Sequence, residues 1–156
     1  MGAPAPNAKP LIKTFMTKVL GGAYDRTKMS LEAISEAVRA LQADIPVDID
    51  AESGAETAVL DLSTSGYSYK IEGLLLKCAD PGADTVTVRL YQLINDVLTE
   101  VDSFSINSSN YGTYFSLVDM FGRPHLAGDS IKITVQSSAG TYAVTGQYSY
   151  SKVYTA

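Results

Sequence analysis

From residue 57 to the C-terminus, the apolar side chains of this chain recur at every second position. Ala58, Leu60 and Leu62 alternate with Thr57, Val59 and Asp61. Val86, Val88 and Leu90 alternate with Thr85, Thr87 and Arg89, and Ile131, Ile133 and Val135 with Lys132, Thr134 and Gln136. A period of two turns one side of an extended strand to a core and the other to water. Tyr69 and Ile71 hold one phase as far as Gly73, after which Leu74, Leu76 and Cys78 take the opposite one. A glycine at a phase flip predicts a β-bulge. Residues 80–84 read as a turn, and Asn95-Asp96 closes a hairpin into a strand over about 97–106. A loop (107–112), a strand (113–118) and a long connection (121–129) follow. The last strand places Tyr142, Val144, Tyr148, Tyr150 and Tyr154 on one face. Roughly seven short strands with no helix between them predict a mainly β fold, an antiparallel β-sandwich of jelly-roll type.

Before residue 51 the period is helical. Leu11, Ile12, Phe15, Met16, Val19 and Leu20 share one stripe, which predicts a helix over 10–20 between Pro10 and Gly21-Gly22. Leu31, Ile34, Val38, Leu41 and Ile45 are spaced 3, 4, 3, 4, the narrow seam of a coiled coil. Ser30 caps this second helix over 30–45, Pro46 ends it, and residues 46–54 read as a polar linker. The division is therefore an N-terminal helical arm (1–50) and a β domain (51–156). Two heptads are too few to stand alone in water, so both stripes must dock, either on the chain's own sandwich or on a second copy or another protein; the narrowness of the seam favours the interface.

At 156 residues with 46% hydrophobic and 19% charged side chains, the chain is one globular domain and an arm. Residues 1–50 carry six basic and six acidic side chains; residues 51–156 carry six and eleven. An acidic β domain excludes phosphate backbones as the ligand, so no nucleic acid partner is expected. No run reaches 18 apolar residues, and Lys9, Lys13 and Lys18 interrupt every apolar stretch near the start. A membrane span and a secretory leader are thus not expected, and the reading is a protein made in a cytoplasm.

Reactive side chains are sparse. His125 is the single histidine and lies in a loop with no nucleophile near it in sequence; Cys78 is the single cysteine. Neither a catalytic triad nor a tetrahedral zinc site can be built on that inventory without recruiting carboxylates. Asp80 with Asp84 and Glu100 with Asp102 are paired carboxylates, but turn formation accounts for the first pair as well as calcium would. No phosphate loop and no nucleophile elbow occurs. The chain is expected to be no enzyme and to take no cofactor or metal. Ten tyrosines without a tryptophan are the compositional oddity. The face carrying Tyr142, Tyr148, Tyr150 and Tyr154 reads either as a surface for sugars or a subunit, or as the rim of a core.

The segment DRTKMSLEAISEAVRALQADI (25–45) resembles a helical segment of small virion proteins of tailed viruses, phage included, where it precedes a compact β domain. VTVRLY (86–91), NYGTYFSLVDMFG (110–122), GDSIKITV (128–135) and YAVTGQYSY (142–150) are similar to the jelly-roll domains of capsid decoration (cement) or head–tail accessory proteins. The resemblance implies a virion protein, a homo-oligomer and often a trimer, whose arm threads onto neighbours or a major capsid protein. A tail, neck or extracellular filament subunit and a carbohydrate-binding module are the alternatives.

Overall fold

A computed structural model describes residues 40–155. Its strands are β1 (Ala40–Glu52), β2 (Thr57–Leu62), β3 (Tyr67–Cys78), β4 (Val86–Ile94), β5 (Val97–Ile106), β6 (Phe115–Ser116), β7 (Leu126–Gly128), β8 (Ile131–Ser137) and β9 (Thr141–Tyr154). One helix, α1 (Leu117–Phe121), lies between β6 and β7. The predicted helix over 10–20, most of that over 30–45, and the stripe residues Leu11, Ile12, Phe15, Met16, Val19, Leu20, Leu31, Ile34 and Val38 lie outside the described residues.

The strands form two antiparallel sheets. One has the order β1-β9-β3-β6, with β7 also on β3; the other has the order β2-β8-β4-β5. One apolar cluster joins their facing sides. Leu60, Leu62, Val88, Leu90 and Ile133 come from the second sheet, and Ile71, Leu76 and Val144 from the first. Each such side chain contributes about 1.5–3 kcal/mol when fully buried. The phase flip at Gly73 is a register shift between Ile71 and Gly73 against β9. It keeps Tyr69 and Ile71 on one side of it, and Leu74, Leu76 and Cys78 on the other, all buried in the same core. The Asn95-Asp96 turn has positive φ at both residues (51° and 62°), the twist a two-residue hairpin needs.

Five expectations are corrected. Residues 40–45 are not the end of a helix, and 46–52 are not a linker: both belong to β1, which pairs with β9 from Ala40↔Lys152 to Glu52↔Thr141. The physical reason is the run Ile45, Val47, Ile49, Ala51, whose period of two faces the core, with Val47 and Ala51 buried. Leu41 and Ile45, read as seam positions, pair with Ser151 and Tyr148 across a register shift between Gln42 and Ile45, so a β-bulge and not a helical turn takes up their spacing of four. Pro46 sits within β1 because, among the described residues, β1 is an edge strand and needs no donor on its outer side. In β2 the register shifts between Ala58 and Leu60, so Val59 is buried and Ala58 exposed, the reverse of plain alternation.

The strand expected over 113–118 is only two residues long. Ser116 instead caps α1: its hydroxyl accepts from the Asp119 N–H, and the Asp119 carboxylate accepts from the Ser116 N–H at 2.8 Å. Gly122 closes the helix in the left-handed region. The connection expected over 121–129 contains β7, which pairs with Tyr69–Ile71 of β3.

At Gly146 the backbones of β9 and β3 meet too closely for a side chain. A Cβ there would overlap the Leu75 carbonyl oxygen and lie 2.9 Å from its carbon, whereas one at Gly73 meets nothing within 4 Å. Gly146→Ala should therefore cost about 3 kcal/mol in urea unfolding, and Gly73→Ala less than about 1 kcal/mol. Equal stability of the two variants would contradict this packing.

Candidate assembly surface

The β4–β5 hairpin outruns the sheet that supports it. Pairing of β4 with β8 stops at Gln92↔Ile131, while β4 and β5 continue to Leu93↔Leu98 and Ile94↔Val97. The inward residues Val86, Val88 and Leu90 are wholly buried by that support. Beyond it, Leu93, Ile94, Val97 and Leu98 are 40%, 47%, 62% and 41% exposed. Four neighbouring aliphatic side chains at one turn form an apolar tip in water, the kind of patch that marks an interaction site. The signal is visible in LINDVL (93–98), where apolar residues flank the turn in adjacent pairs and alternation stops. The sequence analysis passed over it because the turn residues drew the reading to a hairpin alone.

Beside the tip lies a hollow of about 270 Å³, lined by residues including Ser63, Ser65, Tyr67, Leu93, Asp129 and Thr155. The Ser68 hydroxyl donates to Asp129 at its rim. Tyrosines crowd this end of the body. Tyr67 meets Tyr154 edge-on at 5.5 Å, Tyr69 packs on Tyr150 at 6.0 Å, and Tyr150 stacks on Tyr148 at 6.1 Å. The Lys152 ammonium sits 4.9 Å over the Tyr67 ring. Of the tyrosines singled out in sequence, Tyr142, Tyr148 and Tyr150 are half-buried against the core, and Tyr154 is exposed. Tyr142 stands at the opposite end of β9, where its hydroxyl donates to Asp84. That hydrogen bond, then burial, raises its pKa. Ile45 is half-buried opposite Tyr148, and Leu41 lies opposite Ser151.

The reactive residues do not converge. His125 is exposed in the loop before β7. Cys78 is buried and unpaired, and burial pushes its thiol up to about 11, which makes it unreactive near neutrality. Asp80 accepts from the Gly82 N–H at 2.8 Å, so it holds its own turn. Among the described residues, no three His, Cys, Asp or Glu side chains gather as a metal site, and no helix is long and apolar enough to cross a membrane.

The outer side of the second sheet carries a polar network centred on Glu56. Tyr91 donates to its carboxylate at 2.8 Å, Thr134 at 2.8 Å, and Arg89 stands 3.3 Å away while also donating to Gln136. This cover leaves Thr134 only 1% exposed although it faces away from the core. Burial by itself raises the Glu56 pKa. The hydrogen bonds from Thr134 and Tyr91 and the charges of Arg89 and Lys132 outweigh it and hold the carboxyl below the ordinary glutamate value. Burial, the hydrogen bond to Glu56 and the charges of Glu56 and Glu100 push Tyr91 up to about 12.

A carboxyl whose pKa is lowered by folding adds stability above its unfolded value, about 4.3, and loses it as pH falls through the folded one. Glu56→Gln should therefore lower stability at pH 7 by about 0.5–1 kcal/mol, the scale of a surface network. The gap to wild type should close as the solution is taken below about pH 4. Urea midpoints measured at pH 7 and pH 3 check this, and a gap that widens in acid would refute it.

The chain matches no protein-family model and no curated protein sequence. Solved structures resemble it. A chain of the Bacillus endospore appendages, which are disulfide-linked pili, is 13% identical at a TM-score of 0.50, covering 76% of this chain and 90% of that one. The VP2 protein of infectious bursal disease virus, in T=1 particles, is 12% identical at a TM-score of 0.41, and this chain spans 32% of it. VP2 in a subviral particle is 16% identical at a TM-score of 0.35, with 33% of it covered. The pilus likeness shows a shared two-sheet fold.

Proposed function

We propose that this chain is a non-enzymatic structural subunit that assembles with copies of itself, with its body acting as a jelly-roll module and its N-terminal residues as the arm that grips a neighbour. The observation that carries this reading is the apolar hairpin tip, whose four aliphatic side chains are 40–62% exposed. Covering them with another subunit removes apolar area from water at about 25 cal/mol per Å² before association costs. The strand orders β1-β9-β3-β6 and β2-β8-β4-β5 agree with a jelly roll, in which strands alternate between two facing sheets.

Within this class we place the protein in a virion, as a capsid decoration or cement subunit forming trimers on a major capsid protein. Leu11, Ile12, Phe15, Met16, Val19 and Leu20 dock on the shell or a neighbour, and Leu31, Ile34 and Val38 join subunits around the symmetry axis. A second reading, an extracellular filament subunit, is favoured by the likeness to a pilus chain along nearly the whole of that chain. Filaments follow when a head-to-tail contact does not close on itself, and discrete rings when it does. The half-buried state of Tyr148 and Tyr150 speaks against a carbohydrate-binding face on β9.

Light scattering of the full chain should show an oligomer at micromolar concentration. Phe15→Asp combined with Val19→Asp should reduce it to monomer with its β circular dichroism unchanged. Electron microscopy separates rings or particles from filaments. A wild-type chain that stays monomeric at all concentrations would end the assembly reading.

A further inference from the structure

Resting on that reading, we propose that the β4–β5 tip of one copy receives residues 11–20 of a second copy, apolar stripe against apolar tip. The charge of the chain is divided to suit such a contact. Residues 1–39 carry six Lys or Arg and three Asp or Glu, whereas residues 40–156 carry six and fourteen. The arm stripe is flanked by Lys9, Lys13 and Lys18. The tip is flanked by Asp96 in its turn, Glu100 farther along β5, and Asp129 across the hollow beside Leu93. Of these, Glu100 stands 3.7 Å from Arg89, and Asp96 makes no ion pair among the described residues. Arg123 also borders the tip, donating to Gln92 at 3.5 Å. Apolar side chains ringed by lysines thus face apolar side chains ringed mainly by carboxylates, the pattern that steers and orients an encounter.

Chain geometry supports an exchange between copies. β1 starts at Ala40 opposite Lys152, and Tyr67 pairs with Tyr154, so the chain enters the body at the end where Tyr67 and Leu93 line one hollow. Residues 21–39 reach about 45 Å with 21–29 extended and 30–39 helical, as their spacing predicts. A domain of this size is about 35 Å across, so the tether outreaches the body. Among the described residues nothing covers the tip, whose side chains are 40–62% exposed.

Disulfide trapping between full-length chains tests the contact. Val97→Cys is made in one preparation and Phe15→Cys in another, and the two are mixed under mild oxidation. Buried Cys78 keeps out of the reaction. The expected product is a mixed Val97→Cys/Phe15→Cys dimer, formed at least about tenfold faster than the product of Phe15→Cys with a Leu75→Cys control. Val97→Lys should weaken assembly about tenfold, and Lys13→Glu with Lys18→Glu should recover it. If light scattering shows assembly but Phe15→Cys does not trap on Val97→Cys, the tip is not the receiver although the assembly reading stands. Val97→Cys chains that trap only with each other mean a tip-to-tip contact and equally overturn the proposal. If nothing assembles, both fall.

Discussion

β9 lies between β1 and β3, and its hydrogen bonding to both is what the rest of the body depends on. Its 14 residues pair with the first described strand along nearly their whole length on one side and with β3 on the other. Remove it, and the first sheet loses its centre, with Val144 gone from the core and Ile71, Leu76 and Val47 uncovered. Gly146 marks how close that pairing is, since the β3 backbone occupies the place of a side chain. Because Ala51 pairs with Tyr142 and Ala40 with Lys152, the sheet closes only when the two ends of the body have met. Such non-local pairing carries a large loop-closure entropy and slow folding as its consequence.

The sheet edges and the hairpin tip treat other molecules in opposite ways. Among the described residues, the outer strand β1 carries Asp48, Asp50 and Glu52, and the outer strand β5 carries Glu100 and Asp102. Like charges along open edges discourage edge-to-edge pairing between copies. The tip is aliphatic at its end and offers area instead of backbone donors. The body is thereby guarded where indiscriminate sheet extension would start and open where a shaped apolar contact can form. Acidic edges beside an aliphatic tip favour a shaped apolar contact over indiscriminate aggregation.

The Glu56 network shows how an outward face is made solid without apolar residues. Thr134 points away from the core, yet Glu56, Arg89 and Tyr91 close over it, and the Thr134 and Tyr91 hydroxyls both donate to the Glu56 carboxylate. Charge-assisted hydrogen bonds are stronger than neutral ones, and here they tie the start of β2 to β4 and β8. That brace ties together the strands from which the hairpin projects.

Much of the body was legible in the chain because alternation reports directly which side of a strand meets a core. Val86, Val88, Leu90, Ile131, Ile133 and Val135 were read as inward, and all six are fully buried. The bulge at Gly73 and the turn at Asn95-Asp96 were legible too, since backbone stereochemistry limits what glycine and Asn-Asp do there. Three things needed the folded chain. Leu41 and Ile45 carry a helical spacing, and only β9 lying alongside, with a bulge between Gln42 and Ile45, decided for the strand. Ser116 and Asp119 carry a capping box that outcompeted a β-rich sequence through local hydrogen bonds. The exposure of Leu93, Ile94, Val97 and Leu98 follows from where β8 ends, a length match between distant segments. Local periodicity therefore determined the class of fold and most of its core. Which edges stay open, and which apolar side chains are left in water, was decided by the registers of strands far apart in sequence, which no local pattern records.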